Sequence, residues 1–264
     1  MRLREWAFAG MLCAAGMAWA GRPLAVDDAD PVDPGVFEFE AGVGYVRDAD
    51  CHHWDFPVGL TYGLVPSVEA GIGFGGQFEE RLERIDEEGR TKDVNESGAG
   101  DLVLGAKWQF LGESPCCPRQ ALVGAVKFPT ADEDKGLGSG KTDYDLTWVA
   151  SKSLSDKFAA HANAGYSWIG QPDGEDVDDV LHYGLALDYQ LTELLQCVGE
   201  VFAERELGKG ADTVVLYSIG LRWCPCAALT LDVAGGSRLR GDAEDFATTA
   251  GLTWTFGPAG TQTP

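Results

Sequence analysis

Lys107 and Lys127 stand out as cations in an acidic chain, which carries 20 Lys and Arg against 42 Asp and Glu and a formal net charge of -22. Each lies in a stretch where every second residue is apolar, and each is on the polar side of the alternation. The same polar side holds Asp101, Asp145, His161, His182, Asp188, Glu200 and Arg222. Three chemistries are open to such a set. Acids and bases facing one another across a narrow passage orient a solute and select its charge. The same groups, paired among themselves, rigidify a filled interior. Imidazoles beside carboxylates serve as metal ligands or acid–base catalysts.

For Lys107 and Lys127 ion pairing outweighs direct solute contact, because a narrow interior must be filled with side chains. His161 and His182 would face each other if their hairpin were symmetric about its loop. A metal site there would still need Asp188 or Glu200 as a further ligand, so hydrogen bonding is the expected role and no metal is assigned. His161 and Asn163 lie two apart on one face, as in a barrel hydrolase, but no serine is placed on the lipid side with them and no catalytic residue is assigned. Gly136–Thr142 only superficially resembles a phosphate-binding loop, since Lys135 occupies the position of the first glycine.

The elements that carry these residues follow from the alternation itself. Between Phe37 and Phe256 there are twelve stretches of about ten residues with side-chain period two, the period of a β-strand. In Leu181–Leu191, Leu181, Tyr183, Leu185, Leu187 and Tyr189 interleave with His182, Gly184, Ala186, Asp188 and Gln190. The connections alternate long and short. Charges at mid-strand are costly against lipid, about 2–4 kcal/mol for Lys or Arg at the midplane, so the apolar face must be the outer one. Aromatic residues recur at strand ends, as in the girdles of membrane barrels. The expected fold is all-β: a closed antiparallel up-and-down transmembrane barrel of about twelve strands over residues 36–256. The short turns and both termini then lie on the periplasmic side. The charged stretch Glu79–Ser97 reads as a long outer loop.

Residues 1–20 read as a signal peptide, with Arg2 and Arg4, an apolar Ala7–Gly16 and the A-x-A site Ala18-Trp19-Ala20. Residues 21–35 form an acidic leader or a plug in the periplasmic mouth, and 257–264 a short tail. The acidity excludes nucleic acid as a partner. Six cysteines follow the signal, an even number that favours disulfides in an oxidising compartment. A bridge from Cys197 to Cys224 or Cys226, on the neighbouring strand, is geometrically reasonable.

Several short motifs resemble one family. They are Arg22-Pro23-Leu24 with Asp27-Asp28-Ala29, Gly100-Asp101-Leu102 leading to Lys107-Trp108, and Val126-Lys127-Phe128-Pro129-Thr130. Gly136-Leu137-Gly138-Ser139-Gly140 and Thr142-Asp143-Tyr144 complete the set. The chain is similar to the outer-membrane transporter-like proteins labelled phenol-degradation meta-pathway proteins. The resemblance implies a barrel that lets small, often aromatic, molecules cross the outer membrane of a Gram-negative bacterium. The partners expected are small organic solutes, outer-membrane lipid and lipopolysaccharide, without a cofactor and without an enzymatic role. The alternatives are a structural or adhesion barrel with a filled lumen and an outer-membrane hydrolase.

Overall fold

The computed structural model describes residues 21–48, 51–84, 91–172, 177–208 and 210–258. The expected signal peptide and most of the tail lie outside the described residues. The strands are β1 (Phe37–Asp48), β2 (Cys51–Val65), β3 (Val68–Arg84), β4 (Thr91–Ala99), β5 (Leu102–Leu111), β6 (Arg119–Phe128) and β7 (Asp143–Ser155). They continue with β8 (Phe158–Trp168), β9 (Val180–Gln190), β10 (Leu195–Glu206), β11 (Thr213–Cys226), β12 (Leu229–Arg240) and β13 (Phe246–Phe256). Neighbours pair antiparallel in sequence order, except that β5 pairs with β3 rather than β4. Phe37 lies opposite both Tyr62 of β2 and Phe256 of β13, so the sheet closes on itself. Closure leaves no free edge at membrane depth, as lipid demands.

Strand β9 shows why these sequences fold so. Leu185 is 67 % exposed and Asp188 only 9 %. In water that would invert the usual rule of burial. In a bilayer it is the stable arrangement, with leucines against lipid and charges in the lumen. Rings cluster at both ends of the apolar band. Phe37 lies 4.5 Å from Tyr62 at the lower end, and Tyr45 lies 4.6 Å from Trp54 at the upper.

The barrel wall has twelve positions, one of them shared by two strands. β5 pairs with the lower half of β3 and β4 with its upper half, with Gly100 and Asp101 between them. The stretch read as the loop Glu79–Ser97 is therefore largely a hairpin extension, with β3 running to Arg84 and β4 starting at Thr91. Likewise β1 and β2 run on to Asp48 and Cys51 and leave only residues 49–50 between them. Above the apolar band both faces of a ladder meet water. Backbone pairing continues there without the alternation that reveals a strand in sequence.

The two buried apolar clusters both contain the leader. Leu24 and Val26 pack on Ala186 and Val198, with Phe202 alongside. Ala29 packs on Ala121, Val123 and Val149. Complete burial of a Leu or Val side chain is worth about 1.5–3 kcal/mol, so these contacts hold the leader to the inner wall.

Candidate functional site

The inward side chains organise around residues 21–34, which follow the inner wall. From its C-terminal end, the leader first pairs at Pro34 with Gly63 of β2. Val32 N–H donates to Glu69 of β3 at 2.5 Å. Ala29 C=O accepts from Gln109 of β5 at 3.0 Å, and Ala29 N–H donates to Ser151 Oγ of β7 at 2.9 Å. Asn163 of β8, its amide turned to suit its neighbours, bonds both the N–H and the C=O of Asp27. Glu200 of β10 accepts from the N–H groups of Ala25 and Val26 at 2.9 and 2.8 Å. Arg222 of β11 donates to Arg22 C=O at 2.6 Å and Gly21 C=O at 2.7 Å. Arg22 closes the circuit on Asp232 of β12 (3.2 Å) and Thr249 of β13 (3.0 Å). Its guanidinium lies over Gly42 and Gly251, where any Cβ would collide with it.

Lys107 and Lys127 do not share a constriction. Lys107 lies opposite Val123 in the β5–β6 ladder and Lys127 opposite Val103. Those positions are four residues apart, about 13 Å at ~3.3 Å per residue. Lys107 Nζ is 2.9 Å from Asp27 and 3.6 Å from Glu69. Lys127 Nζ is 2.6 Å from Asp143, 3.2 Å from Asp101 and 3.1 Å from Ser139 Oγ. Asp101 in turn accepts the N–H groups of Thr130 and Ala131, both at 2.9 Å. One lysine thus anchors the leader, and the other ties the outer loop 129–142 to the wall.

The histidines are also separate. His161 lies opposite Ala186 and His182 opposite Gly165, four positions apart along the β8–β9 ladder. His182 Nε2 lies 2.8 Å from Asp145, which also accepts from Thr147 and Ser167 at 2.7 Å. The ring lies over Gly165, which has no Cβ to displace it. His161 Nδ1 is 2.8 Å from Ser151 Oγ, and its Nε2 is 3.6 Å from Asp188. Ser151 is 1 % exposed and its oxygen also takes Ala29 N–H, so this serine holds the leader. Among the described residues no three His, Cys, Asp or Glu side chains are grouped to hold a metal ion.

The expected disulfides are not formed. Cys197, Cys224 and Cys226 are free thiols. Cys197 lies opposite Leu221, three residues from Cys224, which is about 10 Å along the strand and on the opposite face of the sheet. A disulfide needs Cα atoms within about 7 Å.

Sequence reasoning missed the function of Ser151, Asn163 and Asp27 as leader contacts. The available signal was the leader's own composition, since Leu24, Val26 and Ala29 interrupt an otherwise polar acidic stretch.

Residues 20–256 match the family described as the MetA-pathway of phenol degradation. The chain belongs to that family. Solved structures similar to this family member are outer-membrane barrels. The COG4313 outer membrane channel from Pseudomonas putida F1 is 15% identical with a TM-score of 0.70, covering 87% of this chain and 98% of that one. The NanC porin is 9% identical at a TM-score of 0.58, covering 82% and 98%. The translocator domain of the autotransporter NalP from Neisseria meningitidis is 10% identical at 0.55, covering 86% and 91%. At these identities they share the fold. No curated protein matches the sequence.

Proposed function

We propose that this protein is an outer-membrane channel for small organic solutes, aromatic compounds among them, whose path is the charged lumen. The observation that carries the proposal is the polarity of the inner face in a closed barrel with an apolar outer face. Asp55, Glu69, Lys107, Lys127, Asp188 and Asp232 all lie on the inner side, where a lumen tolerates charges that lipid would not. The family's link to phenol degradation supplies the solute class. Lipid and lipopolysaccharide of a Gram-negative outer membrane would surround the apolar band.

In this reading solute enters the half of the lumen that holds Asp145, His182, Asp101 and Lys127. It meets residues 21–35 in the periplasmic half. The leader is then a plug that sets the bore, and its own Asp28, Asp30 and Asp33 favour cations.

Single-channel conductance in a planar bilayer tests this, with the whole chain and with residues 22–35 deleted. Small cation-selective steps in the first and several-fold larger steps in the second are expected. Silence from both, with the barrel shown folded by its heat-shifted gel mobility, would overturn the channel and favour a structural barrel with a filled lumen.

A further inference from the structure

Beside Gly21 lies a small cleft in the periplasmic half of the lumen. One wall is apolar, formed by Leu24 and Val26, and the other is polar, formed by Asp28, His161, Asp188 and Arg222. Two buried polar atoms in it lack a hydrogen-bond partner, His161 Nε2 and Asp188 Oδ1. Arg222 spends its donors on Gly21 C=O, Arg22 C=O, Gln196 and Asp188 Oδ2. Asp188 Oδ1 is buried with no hydrogen-bond partner, in a residue only 9 % exposed. An orphaned carboxylate oxygen in a native interior calls for a missing donor. The charges point the same way. The carboxylates of Asp28 and Asp188 face the single guanidinium of Arg222.

Gly21 lines this cleft. A Cβ built at Gly21 would stand 3.5 Å from Asp28 Oδ2 and 3.8 Å from an Arg222 nitrogen, so the residue's Cα abuts the polar wall. Gly21 is also the residue that follows Ala18-Trp19-Ala20. We propose that the cleft is a receptor for the chain's own α-ammonium, created when the bond between Ala20 and Gly21 is hydrolysed. In that step water, delivered by an exported-protein processing peptidase, adds its oxygen to the Ala20 carbonyl. The C–N bond breaks, Ala20 leaves as a carboxylate, and the Gly21 nitrogen takes up protons to become an ammonium. The new cation supplies a donor for Asp188 Oδ1 and a positive charge beside Asp28. Seating of the leader therefore follows processing. Arg22, Pro23 and Leu24 are buried immediately beyond Gly21.

The test labels the α-amine of the purified folded barrel by reductive methylation near pH 7, read from the mass of the amino-terminal peptide. Only the neutral amine reacts, and each unit by which an ion pair raises its pKa lowers the neutral fraction about tenfold. The mature chain should begin at Gly21 and react about tenfold more slowly folded than unfolded. Asp28→Asn and Asp188→Asn should each recover much of that rate. A variant with Ser-Gly-Ser-Gly inserted between Ala20 and Gly21 carries the ammonium up to about 14 Å away and should react at the unfolded rate. Heat-shifted gel mobility reports folding in every variant, and the insertion decides the matter if either Asn variant fails to fold. Equal folded and unfolded rates in the native protein, or a mature chain beginning elsewhere, would overturn the proposal. Labelling reads the seating of the leader whether or not the barrel conducts, so a failure here is distinct from a failure of the channel reading.

Discussion

At the residue scale, Lys107 is one of the side chains that hold the leader. It is 4 % exposed and faces two carboxylates, one on the leader and one on β3. Removing one partner of a buried ion pair typically costs about 3–5 kcal/mol, because the other charge stays desolvated. Lys107→Met is expected to lose about that much in urea titrations of the refolded barrel and to make residues 21–35 accessible to protease. Adding Asp27→Asn should restore part of the loss, since the two sites share one contact. No recovery in the double variant would place the effect elsewhere in the wall. Gly165 makes a second case. Its missing Cβ leaves the space in which the His182 ring reaches Asp145. Gly165→Ala should cost about 1–3 kcal/mol as an overpacking change and displace the His182 ring resonances in NMR spectra, leaving those of His161 unmoved.

At the element scale, the short turn between β5 and β6 is tied down from three directions. Glu113 accepts from Lys152 at 3.0 Å, Arg119 at 3.0 Å and Ser153 N–H at 3.1 Å. Arg119 also reaches Asp30 of the leader at 2.5 Å. The hydrogen bond from Lys152, with help from Ser153, holds the Glu113 carboxyl down to about 2 from its ordinary 4.5. A depressed carboxylate favours the folded turn above pH 4.5, and that contribution fades as pH falls through about 2. Carbon-detected NMR should find half-titration of Glu113 near 2, returning toward 4.5 in Lys152→Met. An unchanged titration would mean that Lys152 does not hold the turn.

At the scale of the whole molecule, the decisive property is which face meets lipid. Leu185 projects outward from the middle of β9. Leu185→Arg should destabilise insertion into bilayers by about 2–4 kcal/mol, the cost for a midplane charge, measured by denaturant titration in vesicles. The same charge at Ala186 would face the lumen and its acids, and its cost should instead appear as a disturbed leader, because Ala186 packs on Leu24 and Val26. Equal bilayer penalties at both positions would refute the assignment of faces.

Much of this architecture was legible in the residues because a strand repeats every two positions and a bilayer imposes one polarity on alternate side chains. The twelve wall positions, the inward set from Asp101 to Arg222 and the aromatic ends all follow from that local rule. The rule fails where its cause is absent. Above the lipid, β3 and β4 pair with water on both sides, so no alternation marked the extension to Arg84 and the restart at Thr91. Period two also says which face a side chain occupies but not what lies opposite it. That depends on register, which placed Lys107 and Lys127 at different heights, set His182 over Gly165, and kept Cys197 away from Cys224. The leader is the clearest case. Its composition announced a segment outside the wall, but its course around the lumen arises from hydrogen bonds and ion pairs spanning separations of up to 227 residues. Contacts of that kind leave no local period in a sequence, and only closure of the barrel brought them together.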